Sequence, residues 1–368
     1  VFLLAIFSIT TVAIFNIPLS QDFLIKGPFP DPFVFENGTK VTSEADWNLR
    51  RGEIKSMMMD IQYGNMPGRP DAMNATIVNT ETRTDDSTYK EVILTIIPSN
   101  TTPASHFNFT LDFYTPNGTG PFPAICKVSK DGQGTQVPNN QTITDRGYIY
   151  SCFHHTDLDP DEDNVIGAAQ AAYPSYDRGT LMVWAWGAMR VADYLLGEEW
   201  VNAPDGYPSV ISGGLIVAGH SRRGKTALIA AAFDERFDMV DCNGGCAGGA
   251  ASYLVLGKGA ETLKSITSPS KYGYWCQESY SNYADREADL PYDQQFMRAL
   301  VAPRLMLTTD GIDDSWANPL GVQAIYEASQ PVFDFLSASN NNAIHFRSGG
   351  HGFLASDFSV LLNFSDRM

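Results

Sequence analysis

The stretch "SGGLIVAGHSRRGKTALIAAAF", residues 212–233, passes from an apolar run into an alanine-rich helical run with almost nothing between them. The first part reads as a buried strand, and the last as a helix packed against it. Ser221 stands at the turn, flanked by small and basic residues. Strand, tight turn bearing serine, then helix is the layout that lifts a hydroxyl above the carboxyl edge of a sheet. Such a unit also constrains its surroundings. A helix leaving one strand must carry the chain back across the sheet, so the neighbouring strands are expected to be parallel.

The rest of the chain agrees. After a proline-rich start with one helical stretch, "SEADWNLRRGEIKSMMMDIQYG", the segments "ATIVNTETRTDD", "YKEVILTIIPS" and "HFNFTLDFYTP" alternate with period two and predict antiparallel strands. From there short apolar strands ("FPAICKVSK", "GYIYSCFHH", "MVDCNGG", "RLMLTTDG", "NAIHFRSGGHG") alternate with helices such as "GTLMVWAWGAMRVADYLLG" and "GVQAIYEASQPVFDFL". The expected fold is α/β: a three-layer αβα sandwich with a mostly parallel central sheet and an antiparallel N-terminal part. No repeat or low-complexity linker divides the chain, so residues 21–368 are read as one domain.

Bulk properties narrow the function. A formal charge of −17, with no local cluster of basic residues, excludes a nucleic-acid partner, because nothing would offset phosphate repulsion. Residues 1–20, "VFLLAIFSITTVAIFNIPLS", are apolar for a length that suits the core of a signal peptide and is short for a membrane span. A secreted, extracellular protein without stable membrane association after leader removal is expected, the alternative being a buried or anchoring helix. Seven Asn-x-Ser/Thr triplets, at Asn37, Asn74, Asn100, Asn108, Asn117, Asn140 and Asn363, agree with secretion, and six of them precede residue 141. The five cysteines allow one or two disulfides, and Cys126 and Cys152 fall in neighbouring predicted strands. No cysteine–histidine spacing suits zinc, and no metal or cofactor is expected.

Sites in parallel sheets gather at the carboxyl ends of strands. Three candidates end strands in this reading: Ser221, an aspartate of "TTDGIDDSW", and His351 of "SGGHGF". The order Ser, Asp, His is that of α/β-hydrolases. A serine hydroxyl needs a histidine to take its proton and a carboxylate to hold that histidine's tautomer. Asp310, Asp313 and Asp314 compete for the last part. Asp310 can instead shape the turn, and the Gly311-x-x-Asp314 spacing favours Asp314 over Asp313. A capping serine, Ser221 serving only the helix start, is the plain alternative. His154 and His155 precede an acidic loop, His106 and His345 sit in strands, and His220 is expected to point away from the hydroxyl side.

The pattern G-x-S-R-x-G-K, with Arg223 where a second glycine is usual, resembles the glucuronoyl esterases of carbohydrate esterase family 15, closest to their bacterial branch. "DWNLRRGEI", "DRGYIYSCF", "WAWGAMRVADYL", "LPYDQQFMRALVAPR", "DDSWANPLG" and "RSGGHGFLASDFSVLLNFSD" are similar to that family's segments in order, over nearly the whole chain after the leader. The resemblance implies a cofactor-free serine carboxylesterase acting on 4-O-methyl-glucuronoyl esters that join glucuronoxylan to lignin alcohols. By the same resemblance Ser221 attacks the C6 carbonyl and His351 is the base. Arg222 serves the oxyanion, while Lys225, Trp316 and, in a looser match, Glu261 contact the sugar. It further implies a Cys246–Cys276 link. Two departures stand out: the cysteines that bridge nucleophile and histidine loops in fungal members are replaced by His220 and Gly352, and a glutamate found after the sixth strand in many members is replaced by Gly244. A carboxylesterase for another sugar or small molecule, or a silent saccharide-binding relative, would share this fold.

Overall fold

The computed structural model describes residues 23–98, 105–129, 140–177 and 179–368. The leader at 1–20, the acceptor Asn100 and the side chain of Asn140 lie outside the described residues. Twelve strands are present among those described: β1 (Phe23–Ile25), β2 (Ala72–Thr82), β3 (Thr88–Ile97), β4 (Phe107–Thr115), β5 (Phe122–Ser129), β6 (Ile149–His154), β7 (Val201–Asn202), β8 (Val210–His220), β9 (Met239–Asn243), β10 (Val255–Gly257), β11 (Leu305–Gly311) and β12 (Asn342–Arg347). Ten form one sheet in the order β12-β11-β9-β8-β5-β6-β4-β3-β2-β7. The six strands from β12 to β6 are mutually parallel. The step from β6 to β4, and those from β4 to β3 and β3 to β2, are antiparallel, as the alternating N-terminal segments require. The short edge strand β7 and the separate β1–β10 pair carry too few residues to show a period, and sequence reading passes over them.

Each face of the sheet is covered. The larger core lies between one face and the helices Glu44–Met58, Thr180–Leu195, Arg222–Phe233, Gln295–Val301 and Pro319–Phe335; the smaller lies under the helix Ala355–Ser365. The helix Thr180–Leu195 is buried along its whole length, which is why its sequence is apolar all round rather than on one stripe. The helix Glu44–Met58 starts at a capping box: the Ser43 hydroxyl accepts from Asp46 N–H, and the Asp46 carboxylate accepts from Ser43 N–H at 3.0 Å. It ends in a π-helical turn at Met59–Tyr63, which nothing in the sequence announces.

β5 and β8 lie side by side, but the chain leaves β5 for β6 on one flank and leaves β8 for β9 on the other. The crevice at their carboxyl ends is the topological switch point of the sheet, and Ser221 follows β8 there.

The disulfide expectations fail. All five cysteines are free and buried. Cys126 pairs in register with Ser151, and Cys152 with Lys127, so the two thiols leave opposite faces of the sheet and cannot meet. Cys246 instead turns its Sγ onto the Gly244 carbonyl at 3.0 Å rather than joining Cys276. Burial pushes the thiols of Cys152 and Cys276 up to about 12, which leaves both unreactive at neutral pH.

A buried arginine ties the last parallel strands to their helix. Arg298, 1% exposed, donates to Asn342 Oδ1 at 2.5 Å, Thr308 Oγ1 at 2.7 Å and the Ala343 carbonyl at 2.6 Å. Arg298→Met would leave those acceptors without partners, at a cost of about 3 kcal/mol or more. Urea denaturation is expected to show that loss, with the midpoint moving and the slope unchanged.

Candidate active site

The turn after β8 is possible because two glycines let backbones touch. A methyl at Gly219 would lie 2.1 Å from the Arg223 carbonyl oxygen, and one at Gly224 would lie 2.6 Å from the Asn243 oxygen. Between them Ser221 takes φ 60° and ψ −127°, a backbone state that side-chain-bearing residues rarely hold. Its N–H donates to the Asn243 carbonyl at 2.9 Å, which clips the turn to the end of β9. The second glycine therefore stands one position later than in the usual elbow, at the point where the incoming helix crosses β9. The Ser221 hydroxyl hydrogen-bonds none of the described residues, so it is not a helix cap.

Residue 244 follows directly, with φ 55°. A Cβ built there would stand 3.3 Å from Cε1 of both His220 and His351. The two imidazoles are themselves neighbours, with ring centroids 4.3 Å apart. His220 thus faces the site, against the expectation that it turns away. Its Nδ1 lies 2.6 Å from Asn243 Oδ1, while Asn243 Nδ2 donates to the Thr309 carbonyl and hydroxyl, so Nδ1 is the protonated nitrogen. Burial, helped by the adjacent His351, pulls His220 down to about 4 against the opposing Asn243 bond.

His351 is held by a short hydrogen bond from Nδ1 to Asp314 Oδ2. Burial raises the Asp314 carboxyl, but the His351 bond and charge and the Ala317 N–H at 3.2 Å outweigh it, and the net position is below the ordinary aspartate value. Asp313 does something else: it accepts the Gly349 N–H at 2.8 Å and donates its own N–H to the Gly349 carbonyl at 3.1 Å, pinning the loop that carries His351. Asp310 is 1% exposed, and burial together with repulsion from Asp314 pushes its carboxyl well above the ordinary aspartate value; its Oδ1 accepts from Gly311 N–H and shapes the turn. Gly311 allows the two loops to meet, since a Cβ there would lie 2.4 Å from the Gly349 and Gly350 oxygens. Arg347 closes the loop from below, paired with buried Asp357 at 2.9 Å and donating to the Gly352 carbonyl at 2.6 Å.

The Arg222 guanidinium carbon lies beside two aromatic rings, 4.8 Å from the Trp275 centroid and 5.2 Å from that of Tyr272. One of its nitrogens donates to Asp161 at 2.6 Å. Lys225 is no solvated helix residue: it is 1% exposed, and its ammonium donates to the Gly245 carbonyl at 2.9 Å, the Ala247 carbonyl at 2.5 Å and Glu261 at 2.6 Å. Three donors are thereby spent on the protein, which leaves none free for a sugar hydroxyl in this arrangement. Glu261 in turn donates its N–H to the Trp316 carbonyl at 2.9 Å, and the Trp316 ring is 38% exposed. Serine, histidine, aspartate, arginine, the lysine–glutamate pair and the tryptophan thus converge on one end of the sheet. Sequence reading missed Asp161, Tyr272, Tyr274, Trp275 and the orientation of His220. A surface cavity of about 310 Å³, lined by Asp60, Ile61, Ser279, Asn282, Tyr283 and Arg286, includes none of the convergent residues.

A family model described as "Glucuronyl esterase, fungi" matches residues 99–337, well over half of the chain. The chain belongs to the glucuronoyl esterase family. It is 25% identical over 334 residues to a 4-O-methyl-glucuronoyl methylesterase of Podospora anserina, covering 89% of this chain and 64% of that protein's length. To a carbohydrate esterase of an unknown prokaryotic organism it is 26% identical over 404 residues, with 93% and 89% covered. Among solved structures, a carbohydrate esterase family 15 glucuronoyl esterase from Caldicellulosiruptor kristjansonii superposes with a TM-score of 0.77 at 28% identity, covering 93% of this chain and 91% of that one. The α/β-hydrolase fold expected from the strand–helix alternation is the fold of these structural neighbours.

Two measurements read this site directly. Asp314→Asn is expected to cut ester turnover by about a thousandfold or more, because the asparagine favours the wrong imidazole tautomer. Asp313→Asn, which keeps an oxygen for Gly349 N–H, is expected to cost about tenfold or less; steady-state kinetics showing the reverse order would move the acid to Asp313. His220 gives a pH signature. The folded protein keeps it neutral down to about 4. The unfolded chain protonates it below about 6.5 and so binds more protons between these values, and stability falls as pH drops through that window. The stability of wild type relative to His220→Gln is therefore expected to decline by up to about 3 kcal/mol between pH 7 and pH 4, measured by denaturant titration.

Proposed function

We propose that this protein is a secreted serine carboxylesterase that hydrolyses 4-O-methyl-glucuronoyl esters, the linkages between glucuronoxylan and lignin alcohols. The observation that carries the reading is the Asp314–His351 hydrogen bond held above Gly244, beside the strained turn of Ser221. In the first step the Ser221 hydroxyl adds to the C6 carbonyl of the uronate, and its proton passes to Nε2 of His351. Asp314 keeps Nδ1 protonated and supports the imidazolium. The negative oxygen receives the backbone N–H of Arg222 and a guanidinium N–H, one such donor contributing about 3 to 4 kcal/mol to barrier lowering. His351 then protonates the departing alcohol, leaving a Ser221 acyl-enzyme. Water, deprotonated by His351, attacks that ester and releases the uronic acid and the serine hydroxyl.

The sugar is assigned to the side of Lys225, Glu261 and Trp316. The Lys225–Glu261 pair is the floor rather than a free hand. Burial works against the Lys225 charge, and Glu261 more than restores it, raising the ammonium above its usual value. A uronate hydroxyl meets the pair at the unshared oxygen of Glu261, with the Trp316 ring packed beside the pyranose. Lys225→Met would therefore test folding as much as binding, and Trp316→Ala is the cleaner probe.

Secretion has the support of the apolar leader and of the acceptor triplets, of which Asn37, Asn108, Asn117 and Asn363 are exposed among the described residues. No helix among those residues is long and apolar enough to cross a membrane.

Benzyl glucuronate is expected to be hydrolysed and an acetylated xylose left largely intact. Ser221→Ala should keep the melting temperature and lose nearly all turnover. Trp316→Ala should depress benzyl glucuronate hydrolysis about tenfold or more while sparing 4-nitrophenyl acetate. Preference for the acetylated sugar would assign a different acid component, and retained saccharide binding without either activity would make the chain a binding relative.

A further inference from the structure

Asp161 lies in an acidic loop, 61 residues before the arginine it touches. Its Oδ2 accepts from Arg222 Nη1 at 2.6 Å. Its Oδ1 accepts from the Tyr274 hydroxyl at 2.9 Å and from Trp275 Nε1 at 3.2 Å. The aspartate is therefore fixed by two donors from the same segment that supplies the rings beside the guanidinium. Those rings are themselves ordered: Tyr272 and Trp275 stack at 4.1 Å with an interplanar angle of 11°. The loop carrying Asp161 is closed in turn by Asp159, whose carboxylate accepts from Gly167 N–H at 2.9 Å, Gln170 at 2.7 Å and Thr180 at 2.6 Å. A methyl on Gly167 would stand 2.4 Å from Asp159, so the closure leaves no slack.

An arginine beside a nucleophile has many rotamers, and an oxyanion gains only from a donor already aimed at it. A carboxylate on Nη1, with two mutually stacked rings beside the guanidinium, restricts those orientations. Asp161 engages Nη1 alone among the guanidinium nitrogens, so the remaining edge is available to a developing negative charge. Arg222 is 27% exposed at its side chain and Asp161 13%, which places the pair at the cleft surface with the acid on the buried side.

From this geometry we infer that Asp161 is a positioning residue for catalysis: it aims the Arg222 guanidinium at the oxyanion, in concert with Tyr274 and the Tyr272–Trp275 stack. The inference rests on the reading of Arg222 as oxyanion donor given above. It extends the site to a segment, residues 272–275, that stands outside the serine, aspartate and histidine loops.

A double-mutant cycle tests it. Asp161→Asn keeps the shape and an acceptor oxygen but removes the charge that orients Arg222. Its kcat is expected to fall about ten- to a hundredfold with KM within about threefold, since the donor acts on the transition state. In an Arg222→Gln background the same change should cost less than about twofold, because nothing remains to be aimed. A wild-type kcat in Asp161→Asn, or an equal loss in both backgrounds, would overturn the inference. Tyr274→Phe, which removes one bond from Asp161 and no charge, should give a several-fold loss of kcat that also vanishes beside Arg222→Gln; an unchanged kcat would count against it. The cycle is run on 4-nitrophenyl acetate as well as benzyl glucuronate, because any ester forms the oxyanion. Inactivity toward the glucuronate alone would then refute the substrate and leave the cycle readable. A second readout needs no turnover: in ¹⁵N-resolved spectra the Arg222 Nη protons should be separately resolved in wild type and averaged in Asp161→Asn. Averaged signals in both would remove the clamp.

Discussion

Everything at this site depends on one backbone state, the positive φ of Ser221. Holding a serine there costs of order 1 to 3 kcal/mol. The cost is offset by parallel pairing of β8 with β9 through His220↔Asn243, and by the Ser221 N–H bond to the Asn243 carbonyl. Neither could form with a side chain at Gly219 or Gly224, where an added methyl would collide with backbone oxygens. The glycines, not the serine, are thus the residues that make the turn. They also fix what lies across from the hydroxyl. Because Asn243 is clipped to Ser221, residue 244 comes under the histidine loop at φ 55°, where a glycine gives the two imidazoles room without either having to shift.

That crowding gives the departure at Gly244 a physical meaning. A carboxylate there would have to displace His220, whose ring is buried beside His351 and bonded to Asn243. The carboxylate that meets His351 arrives instead from the loop after β11, and three aspartates within five residues divide the work by environment. Asp310 is buried beside another carboxylate, and both effects push its carboxyl upward. Asp313 faces backbone N–H and organises a loop. Asp314 alone meets an imidazole, which holds its carboxyl ionised despite burial. Identical side chains in one short segment acquire three tasks through what surrounds them. A like division governs the cations: Arg222 keeps donors in reserve at the cleft, whereas Lys225 spends all of its own inside the protein.

Much of this was legible in the residues. Period-two runs and apolar runs alternating with helices specify both halves of the sheet, since strand and helix periods differ and parallel neighbours need crossovers. The candidates Ser221, Asp314 and His351 were legible because each follows the carboxyl end of a strand in the expected order. The Gly311-x-x-Asp314 spacing singled out the aspartate that the fold brings to His351. What could not be read depends on contacts between segments far apart in the chain. Asp161 looks like one more solvated acid in "DLDPDEDN", and only the fold sets it beside Arg222. His220 was misdirected because alternation along β8 predicts which face it takes but not that a distant loop returns a second imidazole to that face. The Cys126–Cys152 bridge failed for a related reason: adjacency of strands is visible in sequence, but which residues share a face depends on register, and a one-residue offset sends the thiols apart.

The buried Lys225–Glu261 pair is joined to the Arg222 side of the site through one ring. An ion pair with 1% and 3% side-chain exposure is costly to desolvate, and it holds its charges only because carbonyls of Gly245 and Ala247 complete the ammonium's shell. Those carbonyls belong to the turn that begins at Gly244, beneath the histidines. Lys225 itself sits one helical turn after Ser221, and its ammonium lies 5.7 Å from the Trp275 centroid, the same ring on which Arg222 rests. One indole therefore neighbours both cations. Movement of that ring would disturb both at once. Its burial to 2% exposure and its Nε1 bond to Asp161 keep it in place. The spacing between Arg222 and Lys225 is thus held beside one fixed ring rather than by flexible side chains alone, which suits a site in which misplacement by about 1 Å can cost a hundredfold in rate.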